Sequence, residues 1–142
     1  MSGYSGTPLA QKLGIKPGAA VGLWGAPEDF QETLDGLPEG VCFSSVARGK
    51  SPLDVLVVFV RSQREFAARL GTARERMAAA AGLWIAWPKK ASGIKTDITE
   101  THIRDVALTT DLVDNKVCAI DDTWSGLRLV IRLQHRSGAT LR

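Results

Sequence analysis

Two short stretches gather most of the side chains in this chain that can do chemistry. In Lys89-Lys90-Ala91-Ser92-Gly93-Ile94-Lys95, three lysines flank a serine hydroxyl and a glycine, and Thr99 follows where a helix starts. Ammonium groups and the free amides of a helix start attract anions, and glycine lets backbone approach a ligand. In Asp121-Asp122-Thr123-Trp124-Ser125-Gly126, an acidic pair stands beside an indole able to stack on a base. Together they describe a binding rim for an anionic or nucleotide-like ligand, or a surface for a protein partner. The competing structural reading pairs the lysines with the aspartates and folds Trp124 over its own hairpin. Neither stretch names a reaction. The sequence has no C-x-x-C, H-E-x-x-H, Gly-x-Ser-x-Gly or P-loop pattern, and His102 and His135 are far apart, so metal and serine-hydrolase chemistry have no support. His102, in the first turn of a helix, reads as a surface histidine.

The elements around these stretches must bring them to one edge. Gly82 to Trp87 is a continuous apolar run that stops at Pro88, the pattern of a strand buried on both faces where a central strand gives way to a loop. Trp84 and Trp87 lie three apart and so point to opposite faces. Before it, Thr7 to Gly14 reads as a short helix with Thr7 as cap, Ala19 to Trp24 as a buried strand, and Glu28 to Leu34 as a helix. Val41 to Val46 is a second strand, and Asp54 to Val60, rich in β-branched residues, a third. Ser62-Gln63-Arg64-Glu65 is a capping box opening a helix with Phe66, Leu70, Ala73 and Met77 on one stripe, stopped by Gly82. After the lysine loop, a helix from Thr99 to about Leu112 buries Ile103, Val106 and Ala107. Val113 to Ile120 and Leu127 to Leu133 close the chain as a hairpin, the last strand alternating as if half-exposed near an edge.

Strands alternating with helices and ending in a hairpin predict a three-layer α/β fold with a mostly parallel sheet. One passage resists. Only about seven residues, Ala47 to Leu53, join the second strand to the third, where a parallel crossover usually takes a dozen or more. A coil crossover or an antiparallel second strand would each satisfy it. If the Val113 strand runs parallel to the others, its hairpin loop emerges beside the lysine loop.

The chain has 142 residues, 44% of them hydrophobic and 23% charged, which fits a single globular domain over 1–134 followed by a flexible basic tail at 135–142. No apolar run approaches the ~20 residues that span a bilayer, and Met1 to Ser5, with neither a basic nor an apolar region, are not expected to open a signal peptide. The expected location is the cytoplasm, with Cys42 and Cys118 as reduced core thiols. The net charge of +3 is mild: residues 1–71 carry 7 basic against 7 acidic side chains, and residues 72–142 carry 11 against 8. Such a surplus does not predict a nucleic-acid partner.

Lys16-Pro17-Gly18 before the first strand and the closing hairpin resemble class I S-adenosylmethionine-dependent methyltransferases with one strand–helix unit deleted. Ser5-Gly6-Thr7-Pro8-Leu9, Lys12 to Gly18, Trp87 to Gly93, and Val117 through Leu127 are more closely similar to a bacterial family of short Rossmann-like proteins of unknown function. The resemblance implies the fold and no established activity. In the methyltransferases the first strand feeds a G-x-G-x-G loop that lets backbone approach the cofactor. The matching positions here are Gly25, Pro27 and Asp29, so only the first glycine remains. The acid that grips the ribose is missing as well, its place held by Ser45, Val46, Ala47 and Arg48. The expectation is therefore a binding or regulatory module with no cofactor, whose candidate site comprises Gly25, Lys89, Lys90, Ser92, Gly93, Lys95, Thr99, Asp121, Asp122 and Trp124. The alternative is a methyltransferase using S-adenosylmethionine through a degenerate loop.

Overall fold

The computed structural model describes residues 7–34 and 36–132, so the predicted tail at 135–142 lies outside the described residues. Apolar, β-branched segments form β1 (Ala20–Trp24), β2 (Cys42–Ser45), β3 (Leu53–Phe59) and β4 (Met77–Pro88), which are mutually parallel. The closing hairpin supplies β5 (Leu112–Ala119) and β6 (Trp124–Ile131). These join as one six-stranded sheet in the order β2-β1-β3-β4-β6-β5. Since β6 is antiparallel to both β4 and β5, β5 points the same way as β4. The sheet is thus mostly parallel with an antiparallel closing pair, as the sequence predicts.

Alternation along β3 and β4 builds two cores. On one face Leu56, Val58, Leu83, Ile85 and Trp87 pack with Phe66, Leu70 and Ala73 of α2 (Gln63–Glu75) and with Ile103 and Ala107 of α3 (Glu100–Ala107). On the other, Val55, Val57, Phe59, Trp84 and Ala86 meet Ala10 of α1 (Leu9–Lys12), Leu13, Phe30 and Leu34. Trp84 and Trp87 therefore sit in different layers, and Trp84 Nε1 donates to the Leu13 carbonyl at 3.0 Å.

The second strand is parallel, and the short passage after it is a coil. Two features make that possible. Gly22 leaves room for the coil to pass close over β1, since a Cβ there would lie 2.4 Å from Leu53 Cδ1 and 2.8 Å from Val46 Cγ2. Arg76, only 5% exposed, donates to the carbonyls of Ser45, Val46, Arg48 and Ser51 at 2.7–3.0 Å. One guanidinium thus satisfies backbone that no helix or ladder reaches.

Several expectations change. Glu28 to Leu34 holds one 3₁₀ turn, Phe30–Thr33, because so short a segment gains too few helical bonds to offset nucleation. Phe30 and Leu34 still face inward. The helix expected to run to Gly82 ends at Glu75, and Met77 begins β4. Tertiary pairing overrides the helix propensity of Ala78 to Ala81, which lie in a register shift between Leu53 and Val55. Pro8, not Thr7, holds the cap position of α1. The half-exposed edge is β5, while β6 lies inside the sheet and is mostly buried. The cysteines are free but not core: Cys42 is exposed and Cys118 half-buried, on the two edge strands β2 and β5.

Candidate functional site at the carboxyl edge of the sheet

β1 to β4 and β5 all end at one edge, so the loops leaving them converge. Strand register sets Pro88 opposite Trp124, and the Lys89 amide donates to the Thr123 carbonyl at 2.8 Å. The lysine loop and the acidic hairpin are therefore adjacent, the condition that the sequence left open.

Trp124 is a core residue, only 3% exposed. Its ring meets Phe59 edge-on at 5.0 Å, and Phe59 meets Phe30 the same way at 5.0 Å. Above the indole lies the guanidinium of Arg61, 5.1 Å from the ring centroid. A cleft of about 360 Å³ opens here. The loop after β1 lines it with Pro27, Asp29, Phe30 and Thr33, the loop after β4 with Ile94, and the hairpin with Asp121, Thr123 and Trp124. Arg61 belongs both to this cleft and to a more open recess of about 430 Å³, lined also by Ser62, Lys95, Thr96 and Asp97.

The polar groups divide into those already engaged and those not. Asp121 Oδ1 accepts the amides of Thr123 and Trp124, each at 2.8 Å, which fixes the hairpin turn. Ser92 Oγ donates to the Lys89 carbonyl at 2.7 Å and accepts the Ile94 amide at 3.1 Å. Gly93, at φ 79°, ends that turn in the left-handed region. Thr99 Oγ1 accepts the His102 amide at 3.0 Å and so caps α3. His102 is half-buried, its ring 6.0 Å from that of Phe66. Gly25, at φ 73°, lies under Arg69, whose Nη1 would be 2.7 Å from a Cβ there and donates to the Phe59 carbonyl at 2.8 Å.

Of the predicted residues, Lys95, Asp121 and Trp124 line the two recesses. Lys89, Lys90 and Asp122 stand on the surrounding loops without lining them. Ser92, Gly93 and Thr99 serve local turns and a cap, and Gly25 makes room for an arginine of this chain. The ion pairs among the described residues are Arg69–Glu65, Arg74–Asp111, Arg104–Glu100 and Arg104–Asp114. The lysines of the rim do not pair with Asp121 or Asp122. Arg61 is the residue that the sequence reading missed. Its signal was positional: the first charged side chain after β3, immediately before the capping box, as Lys89 is the first after β4. The hydrogen bonds that Arg104 donates to Glu100 and then to Asp114 push its guanidinium up, and those that Arg74 donates to Asp111 do the same for Arg74. Both stay charged and structural. Among the described residues, no three of His, Cys, Asp and Glu are placed to hold a metal ion, and no helix is long and apolar enough to cross a membrane.

The sheet order, the antiparallel closing pair and the convergent carboxyl-edge loops define a Rossmann-like protein of the methyltransferase fold. Within that class the chain belongs to the DUF3052 family, a protein family of unknown function, whose model matches residues 10–133. Among solved structures it is similar to the DhpI-SAH complex, with a TM-score of 0.61 and 9% identity over 89% of this chain and 83% of that one. It is also similar to magnesium protoporphyrin IX methyltransferase from Synechocystis PCC 6803 with bound SAM, TM-score 0.56, 11% identity, covering 87% and 74%. The ribosomal protein L11 methylase from Lactobacillus delbrueckii subsp. bulgaricus is a third, TM-score 0.55, 10% identity, covering 87% and 75%. At such identities the likeness is one of fold. No curated protein matches the chain.

Proposed function

We propose that this protein is a non-catalytic binding or regulatory module of the cytoplasm, whose carboxyl-edge rim takes a small anionic, nucleotide-like ligand or the acidic group of a protein partner. The observation that carries the reading is Arg61. Its guanidinium lies over Trp124 where two recesses meet, and it has no carboxylate partner among the described residues. Arginine held against an aromatic face presents a planar fork of donors that suits phosphate and carboxylate. Lys89, Lys90 and Lys95 add positive charge on the neighbouring loop. Thermal shift against a panel of nucleotides and inorganic phosphate tests it, because a binder raises the melting temperature by mass action. Arg61→Gln is expected to melt like the native protein and to lose the shift. A shift that survives in this variant overturns the reading.

The second reading, a methyltransferase using S-adenosylmethionine, is favoured by the fold shared with structures that hold SAM and SAH. The residues at the end of β1 do not fit that cofactor. Arg69 fills the space that Gly25 leaves, and Pro27 and Asp29 follow in place of further glycines. After β2, the carbonyls of Ser45, Val46 and Arg48 are taken by Arg76. Calorimetry decides: saturable S-adenosylmethionine binding tighter than ~100 μM, about −5.5 kcal/mol, promotes the enzyme reading over the module.

A further inference from the structure

We propose that the two recesses sharing Arg61 divide a nucleoside phosphate between them, with the ring in the cleft and the phosphate in the recess between Arg61 and Lys95. The inference rests on the rim being an anion site and names how the ligand lies in it.

Size comes first. At about 360 Å³ the cleft is near the small end of the ~300–1,000 Å³ range of ligand pockets, room for one ring system rather than a dinucleotide. Its lining pairs apolar surface from Phe30 and Ile94 with the carboxylate of Asp29, which has no partner among the described residues and can accept from an amine or sugar hydroxyl. The recess has a different chemistry. Arg61 and Lys95 bring two cations against Asp97, whose Oδ1 already accepts the Gln63 amide at 2.8 Å. Ser62 Oγ accepts the Glu65 amide and Thr96 Oγ1 the Ile98 amide, each at 3.0 Å. Each hydroxyl therefore keeps its proton for an outside acceptor such as a phosphate oxygen. Arg61 is common to both compartments and its guanidinium lies over the indole, so one side chain can meet the ring with its face and the phosphate with its donors. A ligand with only one of these parts leaves the other compartment unused.

Calorimetry on the full chain with AMP, adenosine and inorganic phosphate tests the division. AMP is expected to bind at least tenfold more tightly than either fragment. Lys95→Gln should weaken AMP roughly tenfold, the scale of one charge-assisted hydrogen bond, while leaving adenosine unchanged. Ile94→Trp, which fills the cleft, should reduce AMP to the affinity of phosphate alone; Asp29→Asn gives the same readout, as a smaller drop, if the larger side chain disturbs folding. AMP binding no tighter than phosphate overturns the division, as does Lys95→Gln leaving AMP unchanged while Arg61→Gln removes it. That second pattern leaves the rim itself standing. If none of the three probes binds, or all bind Arg61→Gln as they bind the native protein, the division fails, and with it the rim as a site for a small nucleotide-like ligand.

Discussion

Arg76 carries a positive charge into the interior, and among the described residues it is the one buried polar side chain. The carbonyl of Ser45 at the end of β2 and those of Val46, Arg48 and Ser51 in the coil after it accept from Arg76. Arg76→Met would keep much of the apolar stem and strand those acceptors. Hydrogen bonds to charged groups contribute ~1.5–3 kcal/mol each and are not additive, so a loss of about 3 kcal/mol is expected, read as a lower urea midpoint at unchanged slope. Arg76→Lys, with three donors on one nitrogen and no fork, should recover only part. The cysteines give a second residue-scale test. Burial pushes the Cys118 thiol up, against the pull of Lys12 and Lys116, so at a given pH less of it is the reactive thiolate. Cys42 is exposed. Iodoacetamide on the native protein at pH 8 should therefore modify Cys42 first, with Cys118 catching up as pH rises; peptide mass spectrometry reads the order, and equal rates would contradict the burial.

Among the elements, β4 ties the layers together, and its two tryptophans differ in a way that a measurement can separate. Truncation of either to Ala should cost ~3–5 kcal/mol, as large buried side chains do. Trp84→Phe removes the donor to the Leu13 carbonyl and leaves a buried acceptor unmet, costing about 1–3 kcal/mol beyond the lost volume. Trp87 makes no such bond among the described residues, so Trp87→Phe should cost less, and denaturation that ranks them the other way would contradict this. β4 also shows what was legible beforehand. Its apolar run and the strand of Val55 to Phe59 are local patterns, and they predicted the central strands and the opposite faces of Trp84 and Trp87. The direction of β2 was not legible, because it is fixed by Gly22 and by Arg76 contacts that join residues 25 or more apart. The end of α2 escaped for the same reason: an alanine run obeys its neighbours in the sheet before its own propensity. At the site, topology made the edge readable from strand order. Which side chains line it was legible only in part: Lys95, Asp121 and Trp124 were among the residues read from the sequence, whereas Arg61 is brought over the indole only by the fold.

At the scale of the whole molecule, charge is distributed unevenly. The arginines of α2 and α3 that form ion pairs (Arg69, Arg74 and Arg104) meet carboxylates, whereas Arg61, Lys89, Lys90 and Lys95 at the carboxyl edge do not pair with any among the described residues. A net charge of +3 is too small for general attraction to polyanions, so any effect of these cations must be local. Lys89, half-buried, and Lys90, exposed, follow a proline at the end of β4 and form no ion pair among the described residues, so replacing them is expected to change stability by no more than about ±0.5 kcal/mol. The double variant Lys89→Gln, Lys90→Gln should therefore melt with the native protein. Gln keeps length and polarity, so any loss of binding reports charge. If the rim holds an anion, the double variant should weaken a phosphate-bearing ligand by less than Arg61→Gln does, because neither lysine lines a recess. Salt should separate the two contributions. With a screening length of about 10 Å at 0.1 M, added sodium chloride should remove the lysine effect first and leave the closer Arg61 contact partly intact. A double variant that unfolds would mean that the lysines are structural. One that stays folded and shows the native affinity and the native salt dependence would mean that they take no part in binding, and the site would contract to Arg61 and Lys95.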